Sequence, residues 1–251
     1  NLLKLLLKTT KKFGKIDFNT TRFLVFTNNE FKQKIINLYK ELDIKGDVMV
    51  LDKPIYTTVN HSLSERRRME ASSARLHIFD YPEINKYKKI LWLDCDILFS
   101  NNLNNIFNID PKNKLNVAQE GNTKAGYWGR WIWTYKKEKN PESNSFNCGI
   151  LYFSNCEEIK HLFQETFTFI TKDFFRNPEG WVIPSCLEQP FINYFAITKN
   201  MHNLILHNIV ANHQKTYEGH TIVHFPGENS EKNLQNYLKL LSKIDYKNIP
   251  K

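Results

Sequence analysis

Apolar and polar positions along this chain fall into blocks, and the period of the blocks changes from one to the next. "RFLVFT" (22–27) is a short continuous apolar run of the kind that forms a buried strand. "NEFKQKIINLYKEL" follows it, with Phe31, Ile35, Leu38 and Leu42 at helical spacing. "DVMVLD" (47–52) predicts a second strand, and the stretch from Glu65 to Phe79 a helix. "KKILWLD" (88–94) predicts a third strand, "KLNVAQE" (114–120) a fourth and "FNCGILYFS" (146–154) a fifth, before a long helical pattern from Glu157 to Thr171. Strands and helices taking turns in this way predict an α/β fold, a mostly parallel sheet flanked by helices. No internal repeat or low-complexity linker divides it, so one domain over residues 1–251 is expected.

Two stretches depart from this rhythm. "NLLKLLLKTTKKF" carries a Leu-rich face interrupted by Lys4 and Lys8, and it reads as a helix packed on the core or as one lying on a membrane surface. It falls well short of the roughly 18–20 apolar residues that a membrane span needs, and no other stretch is longer, so no transmembrane segment is expected. "GNTKAGYWGRWIWTYKKEKNPESNS" (121–145) is long for a connection and rich in Trp and Tyr. It is either a binding loop or a surface loop pinned by its aromatics.

Composition narrows the function classes only in part. A chain of 251 residues that is 41% hydrophobic and 14% aromatic buries a substantial core. Its four cysteines form no CxxC pair and have no dense spacing, which argues against a zinc ribbon or a disulfide scaffold. No signal peptide is visible, so a cytoplasmic location is expected, with a lumenal catalytic fragment as the alternative. The net charge of +9 suits an anionic partner, which could be a nucleic acid, an acidic membrane or a phosphorylated small molecule.

The chemistry gathers at "KKILWLDCDILF", where an apolar strand ends in Asp94 and Asp96. Ligands of open parallel sheets bind outside the carboxyl ends of the strands. If the extended conformation continues, the period of two puts both carboxylates on one side and Cys95 on the other. Two close carboxylates repel near a core unless a cation serves them, and Mg²⁺ or Mn²⁺ prefers such oxygen ligands.

With these residues in view, the sequence resembles the retaining glycosyltransferases of the GT-A fold related to glycogenin and the bacterial lipopolysaccharide galactosyltransferases, the family 8 type. "ARLHIFDYPEINKYKKILWLDCDILFSNNLNNIF" is similar to the family's central block, in which an Arg-bearing helix leads to the metal-binding Asp-x-Asp. "FNCGILYFS" resembles its Asn-x-Gly strand, "LEQPFIN" its acidic-Gln-x-x-x-Asn helix start, and "IVHFPG" its C-terminal His-x-x-Gly. The four blocks stand in the family's order.

The resemblance implies an enzyme that moves a hexose from a nucleotide sugar, by habit a UDP-sugar, to a glycan or protein acceptor with retention of configuration. It implies Mn²⁺ or Mg²⁺ held by Asp94, Asp96 and His224, and donor contacts from Arg75, Asp94, Asn147, Gly149, Gly227 and Lys232. Glu188 and Gln189 would be the catalytic pair on the β face of the donor sugar. Two departures accompany it: Glu188 replaces the family's usual Asp, and Ser230 stands where a Lys is usual, with Lys232 two positions later. The family's first nucleotide-binding strand has no counterpart before "RFLVFT", so base-contacting residues are expected to be missing at the N-terminus. "ERRR" (65–68) reads as a solvated face with one member in reach of the donor. No nucleic acid is implied, and a homodimer stays open.

Two readings from other classes compete. A phosphatase of the haloacid dehalogenase type also follows a strand with Asp-x-Asp, but that motif usually sits on the first strand and continues to Thr or Val where this chain has Leu98. A basic nucleic-acid-binding protein would use the Trp–Tyr loop as a stacking platform. Neither accounts for four ordered blocks.

Overall fold

The structure, a computed structural model, describes residues 2–51, 71–174, 188–212 and 219–226, with the single positions 232, 235, 236 and 239. In chain order it begins with helix α1 (Leu2–Phe13), strand β1 (Phe23–Thr27), helix α2 (Asn29–Leu42) and strand β2 (Gly46–Val50). Two 3-10 helices (Ala74–Asp80 and Ile84–Lys86) lead to β3 (Lys89–Leu93) and β4 (Ile97–Phe99). Then come α3 (Asn104–Phe107), β5 (Leu115–Asn116), β6 (Gln119–Asn122), α4 (Arg130–Lys136), β7 (Asn144–Phe146) and β8 (Ile150–Ser154). The last named elements are α5 (Glu157–Thr168), a π-helical turn (Phe169–Phe174), α6 (Gln189–Thr198), β9 (His202–Asn203), β10 (Val210–Asn212) and β11 (Ile222–His224).

The central sheet, ordered β3-β8-β5-β9, is buried on both faces, as the strand period of two requires. Ile90 and Trp92 of β3 join Leu151 and Phe153 of β8 in one core, with α5 and α6. Leu91 and Leu93 join Ile150 and Tyr152 in a second core, with Leu6 of α1 and with β4, β10 and β11. The Leu-rich N-terminal stretch is therefore a core helix: Leu6 and Leu7 are buried against the protein itself. No helix among the described residues is long and apolar enough to cross a membrane.

The α/β class holds, but the strand pairing is mixed. β1–β2, β10–β11 and β5–β9 are parallel, whereas β3–β8, β5–β8, β4–β11 and β6–β7 are antiparallel. β8 begins beside the end of β3, with Asp94 N–H donating to the Gly149 carbonyl at 2.8 Å, so it must run back along β3. The expected strand over 146–154 is split, and the break at 147–149 is the part that borders the site. The strand expected over 114–120 is likewise two short pieces.

The long aromatic stretch is pinned to the core. Ile132 and Trp133 of α4 are fully buried. Trp133 meets Tyr194 edge-on at 5.0 Å and Trp131 meets Phe191 at 5.4 Å, which docks α4 on α6.

Candidate active site

Three sheets end at one place. β3 delivers Asp94, and the chain then turns rather than extends: Asp94–Asp96 form a turn into β4, which belongs to another sheet. The two carboxylates converge through this turn and not through the pleat, and Cys95 is exposed. β4 pairs with β11 so that Ile97 faces His224, and Phe225 N–H bonds the Asp96 carbonyl at 3.0 Å. β10 lies parallel to β11 with Asn212 opposite His224. As a result one ligand atom from each of Asp94, Asp96 and His224 lies within 4.8 Å of the others. A cavity of about 1080 Å³ opens beside them, between β1 and β3, and reaches Asp94, Asp96, Arg75, Thr27 and Asn28.

One side of the site is held by charge. The Arg75 guanidinium is almost fully buried and bonds both oxygens of Asp94, at 3.1 and 3.2 Å. Its Nε lies 3.0 Å from Glu188 Oε1, its Nη1 donates to the Cys148 carbonyl, and the group stands over the Trp92 ring at 5.6 Å. Trp92 Nε1–H donates to Asp94 Oδ1 at 3.0 Å. Burial works against the Arg75 charge, yet Asp94 and Glu188 outweigh it and hold its pKa above the ordinary value. For Glu188 burial wins: its pKa is raised, although Arg75 and Ser72 pull it down. Its Oε2 is buried with no hydrogen bond among the described residues.

The other side is held by amides gathered on the Glu120 carboxylate. His224 Nδ1 lies 2.7 Å from Asn212 Oδ1, and Asn212 Nδ2 donates to Glu120 Oε2 at 3.0 Å. Asn147 Nδ2 donates to the same oxygen at 2.6 Å, and Asn147 Oδ1 accepts from Gly149 N–H at 2.6 Å. His224 Nε2 stands 3.3 Å from Asp96 Oδ1, a buried oxygen without a hydrogen bond among the described residues.

The structure gathers most of the residues singled out from the sequence. Arg75, Asp94, Asp96, His224, Glu188, Asn147 and Gly149 form one connected cluster. A Cβ on Gly149 would come within 2.8 Å of His224 Cε1 and 3.0 Å of Asp94 Oδ2, which explains glycine there. Gln189 and Asn193, one helical turn apart, both grip the 146–148 backbone. Gln189 Oε1 accepts from Cys148 N–H at 2.7 Å and Asn193 Oδ1 from Phe146 N–H at 2.9 Å. Lys232 is an exposed helical residue. Gly227 and the 65–68 cluster lie outside the described residues. Sequence reasoning missed Glu120 and Asn212, whose partners are remote in the chain and leave no spacing signal. Asp94, Asp96 and His224 form the one candidate metal group among the described residues.

Comparison with known proteins agrees with this picture. Residues 2–232 match the family described as Glycosyl transferase family 8. No curated protein matches the chain. Among solved structures it is similar to mouse xyloside xylosyltransferase 1 in its apo form, at 14% identity and a TM-score of 0.56, over 89% of this chain and 90% of that one. The bifunctional glycosyltransferase WbbM, also apo, gives 14% identity and 0.58 over 90% of this chain and 44% of that one. The glycosyltransferase GlyE of Streptococcus pneumoniae TIGR4 gives 15% identity and 0.51 over 95% of this chain and 56% of that one. At such identities the likenesses speak to the fold, which is that of the GT-A glycosyltransferases. With a family match over nearly its whole length, the chain belongs to glycosyltransferase family 8.

Proposed function

We propose that the protein transfers a hexose from a nucleotide sugar, a UDP-sugar, to a glycan or protein acceptor with retention of configuration, and that Asp94, Asp96 and His224 hold a divalent cation for the purpose. The observation that carries this reading is the buried Oδ1 of Asp96, which has no hydrogen bond among the described residues and faces the His224 ring at 3.3 Å. A buried carboxylate oxygen left without a donor is costly, and a cation against it removes the cost. Carboxylate and imidazole ligands together suit Mn²⁺, with Mg²⁺ as the harder alternative. When bound, the ion supplies positive charge that offsets the charge developing on a departing diphosphate.

The chain's own residues bind and orient. The cavity between β1 and β3 is open to the nucleotide half of the donor, and Arg75 places a permanent positive charge at its inner end. Asp94, already tied to Arg75 and Trp92, is aimed by them. Asn147 and Gly149 border the sugar, with Gly149 allowing close approach. Gly227 and Lys232 serve the diphosphate. Glu188 and Gln189, the pair the resemblance makes catalytic, are here assigned to support the site: Gln189 holds the Cys148 backbone, and Glu188 is a positioning residue because its carboxylate is turned onto Arg75.

A screen of nucleotide sugars with Mn²⁺, following nucleotide release with and without acceptor, tests the reading. Release with a UDP-hexose that stops in EDTA is expected, and an α-linked product by NMR. Release unaffected by EDTA removes the metal, and a β linkage removes retention.

A further inference from the structure

Behind the His224 side of the site stands a carboxylate with no part in the scheme above. We propose that Glu120 is a positioning residue: acting through Asn212, it fixes His224 as the Nδ1–H tautomer, so that the ring offers its Nε2 lone pair to the cation site. The inference rests on the reading of His224 as a metal ligand.

The direction of every hydrogen bond in the relay is forced by chemistry. An ionised carboxylate only accepts, so both amides that reach Glu120 Oε2 must present their NH₂ groups to it. For Asn147 the other end agrees, since its oxygen takes the Gly149 N–H. Asn212 is thereby turned with its oxygen toward His224 Nδ1, at 2.7 Å. An amide oxygen also only accepts, and Nδ1 must carry the proton. In a neutral ring Nε2 is then bare and points at Asp96 Oδ1, which no donor among the described residues reaches. The opposite tautomer would donate from Nε2 to Asp96 and close the site with a hydrogen bond. Strand register supplies the relay: β10 and β11 set Asn212 opposite His224, and β6 brings Glu120 to both amides.

The test reads the tautomer directly in metal-free protein, by ¹⁵N NMR of the His224 ring at about pH 8, where an ordinary imidazole is neutral. Titration with Mn²⁺ alone gives affinity as a second readout. Wild type is expected to carry the proton on Nδ1. Glu120→Ala frees Asn212 to turn around, and should populate the Nε2–H form and weaken Mn²⁺ binding by roughly ten- to a hundredfold, the usual scale for losing an outer-shell partner. The exchange E120Q/N212D moves the carboxylate beside the ring and the amide behind it, and should bring back the Nδ1–H form and near wild-type affinity. Wild-type His224 protonated on Nε2, or a Glu120→Ala protein that keeps the Nδ1–H form, overturns the proposal. If Glu120→Ala does not fold, the exchange decides alone, and an Nε2–H ring in it is the overturning result. Failure of the metal reading looks different: wild type with the Nδ1–H ring but no Mn²⁺ binding removes the cation and leaves the hold of Glu120 on the ring in place.

Discussion

Asp94 and Asp96 stand one residue apart, but the two flanks of the site treat them in opposite ways. On the Arg75 flank each group answers a charge: Asp94 takes two bonds from Arg75 and one from Trp92, while Glu188 sits on the guanidinium from the other side. On the His224 flank the links are amides, and they stop short of Asp96 Oδ1. A network of opposite charges saturates its carboxylate and aims it. A relay of amides anchored on the Glu120 carboxylate can orient a ring while leaving the neighbouring carboxylate with unmet demand. On the proposed reading, the contrast assigns aim to Asp94 and cation affinity to Asp96.

The largest effect is expected where the demand is unmet. Asp96→Asn replaces the bare oxygen with a group able to donate to the ring, and should lower turnover by about 10²–10³-fold, the scale of removing one electrostatic stabiliser. Divalent-dependent donor binding should vanish with it, while circular dichroism stays unchanged because no core contact is lost. Full Mn²⁺ affinity in this variant would erase the difference between the flanks.

Arg75→Leu strikes the saturated flank and should be felt in folding first. It leaves Glu188 buried without a counter-charge and takes two bonds from Asp94. Breaking a buried pair in this way costs about 3–5 kcal/mol, to be read by urea denaturation. A loss of about 1 kcal/mol or less, the worth of an exposed pair, would mean that the flank is not held by charge.

Gly149→Ala tests both flanks at once. The new methyl would meet Asn147 Oδ1 and His224 Cε1 at 2.8 Å and Asp94 Oδ2 at 3.0 Å. Overpacking of this kind costs about 1–3 kcal/mol. Mn²⁺ binding should weaken in step, since both ligand side chains must give way. Unchanged stability and metal affinity together would show that the two flanks do not meet at this glycine.

How far the site could be read from sequence follows from the same chemistry. The apolar run 89–93 and the helical spacing of α2 show in local pattern, and the structure returns both, as β3 and α2; the two acids stand out by their place after the run, and His224 only through the family resemblance. Gln189 and Asn193 were legible only as part of the motif the family resemblance supplied; in the fold one helical turn puts them on one face. Strand direction was not legible, since a period of two is the same for parallel and antiparallel neighbours, and the mixed pairing around β8 came only with the fold. The extended Asp94–Asp96 gave way to a turn because the chain leaves one sheet there for another. The relay was invisible for a different reason: Glu120 and Asn212 meet across 92 positions of chain, and no periodicity spans that distance.

The smallest effect is expected from Glu188→Gln, and its value lies in its pH dependence. Burial raises the Glu188 pKa above its ordinary 4.5, against the pull of Arg75 and Ser72. The folded protein therefore keeps this proton to higher pH than the unfolded chain does. Between the ordinary and the raised pKa the native state binds more protons, so the group's contribution to stability falls as pH rises through that window. Glutamine has the same shape and does not titrate. Arg75 keeps Asp94 as its partner in the variant, so the net change in stability at neutral pH should be about 1 kcal/mol or less, the scale of one ordinary hydrogen bond. Chemical denaturation at a series of pH values from 4 upward should show a flatter profile for Glu188→Gln than for wild type. Identical profiles would mean that the Glu188 proton is not linked to folding, and would remove the carboxylate from the charged flank.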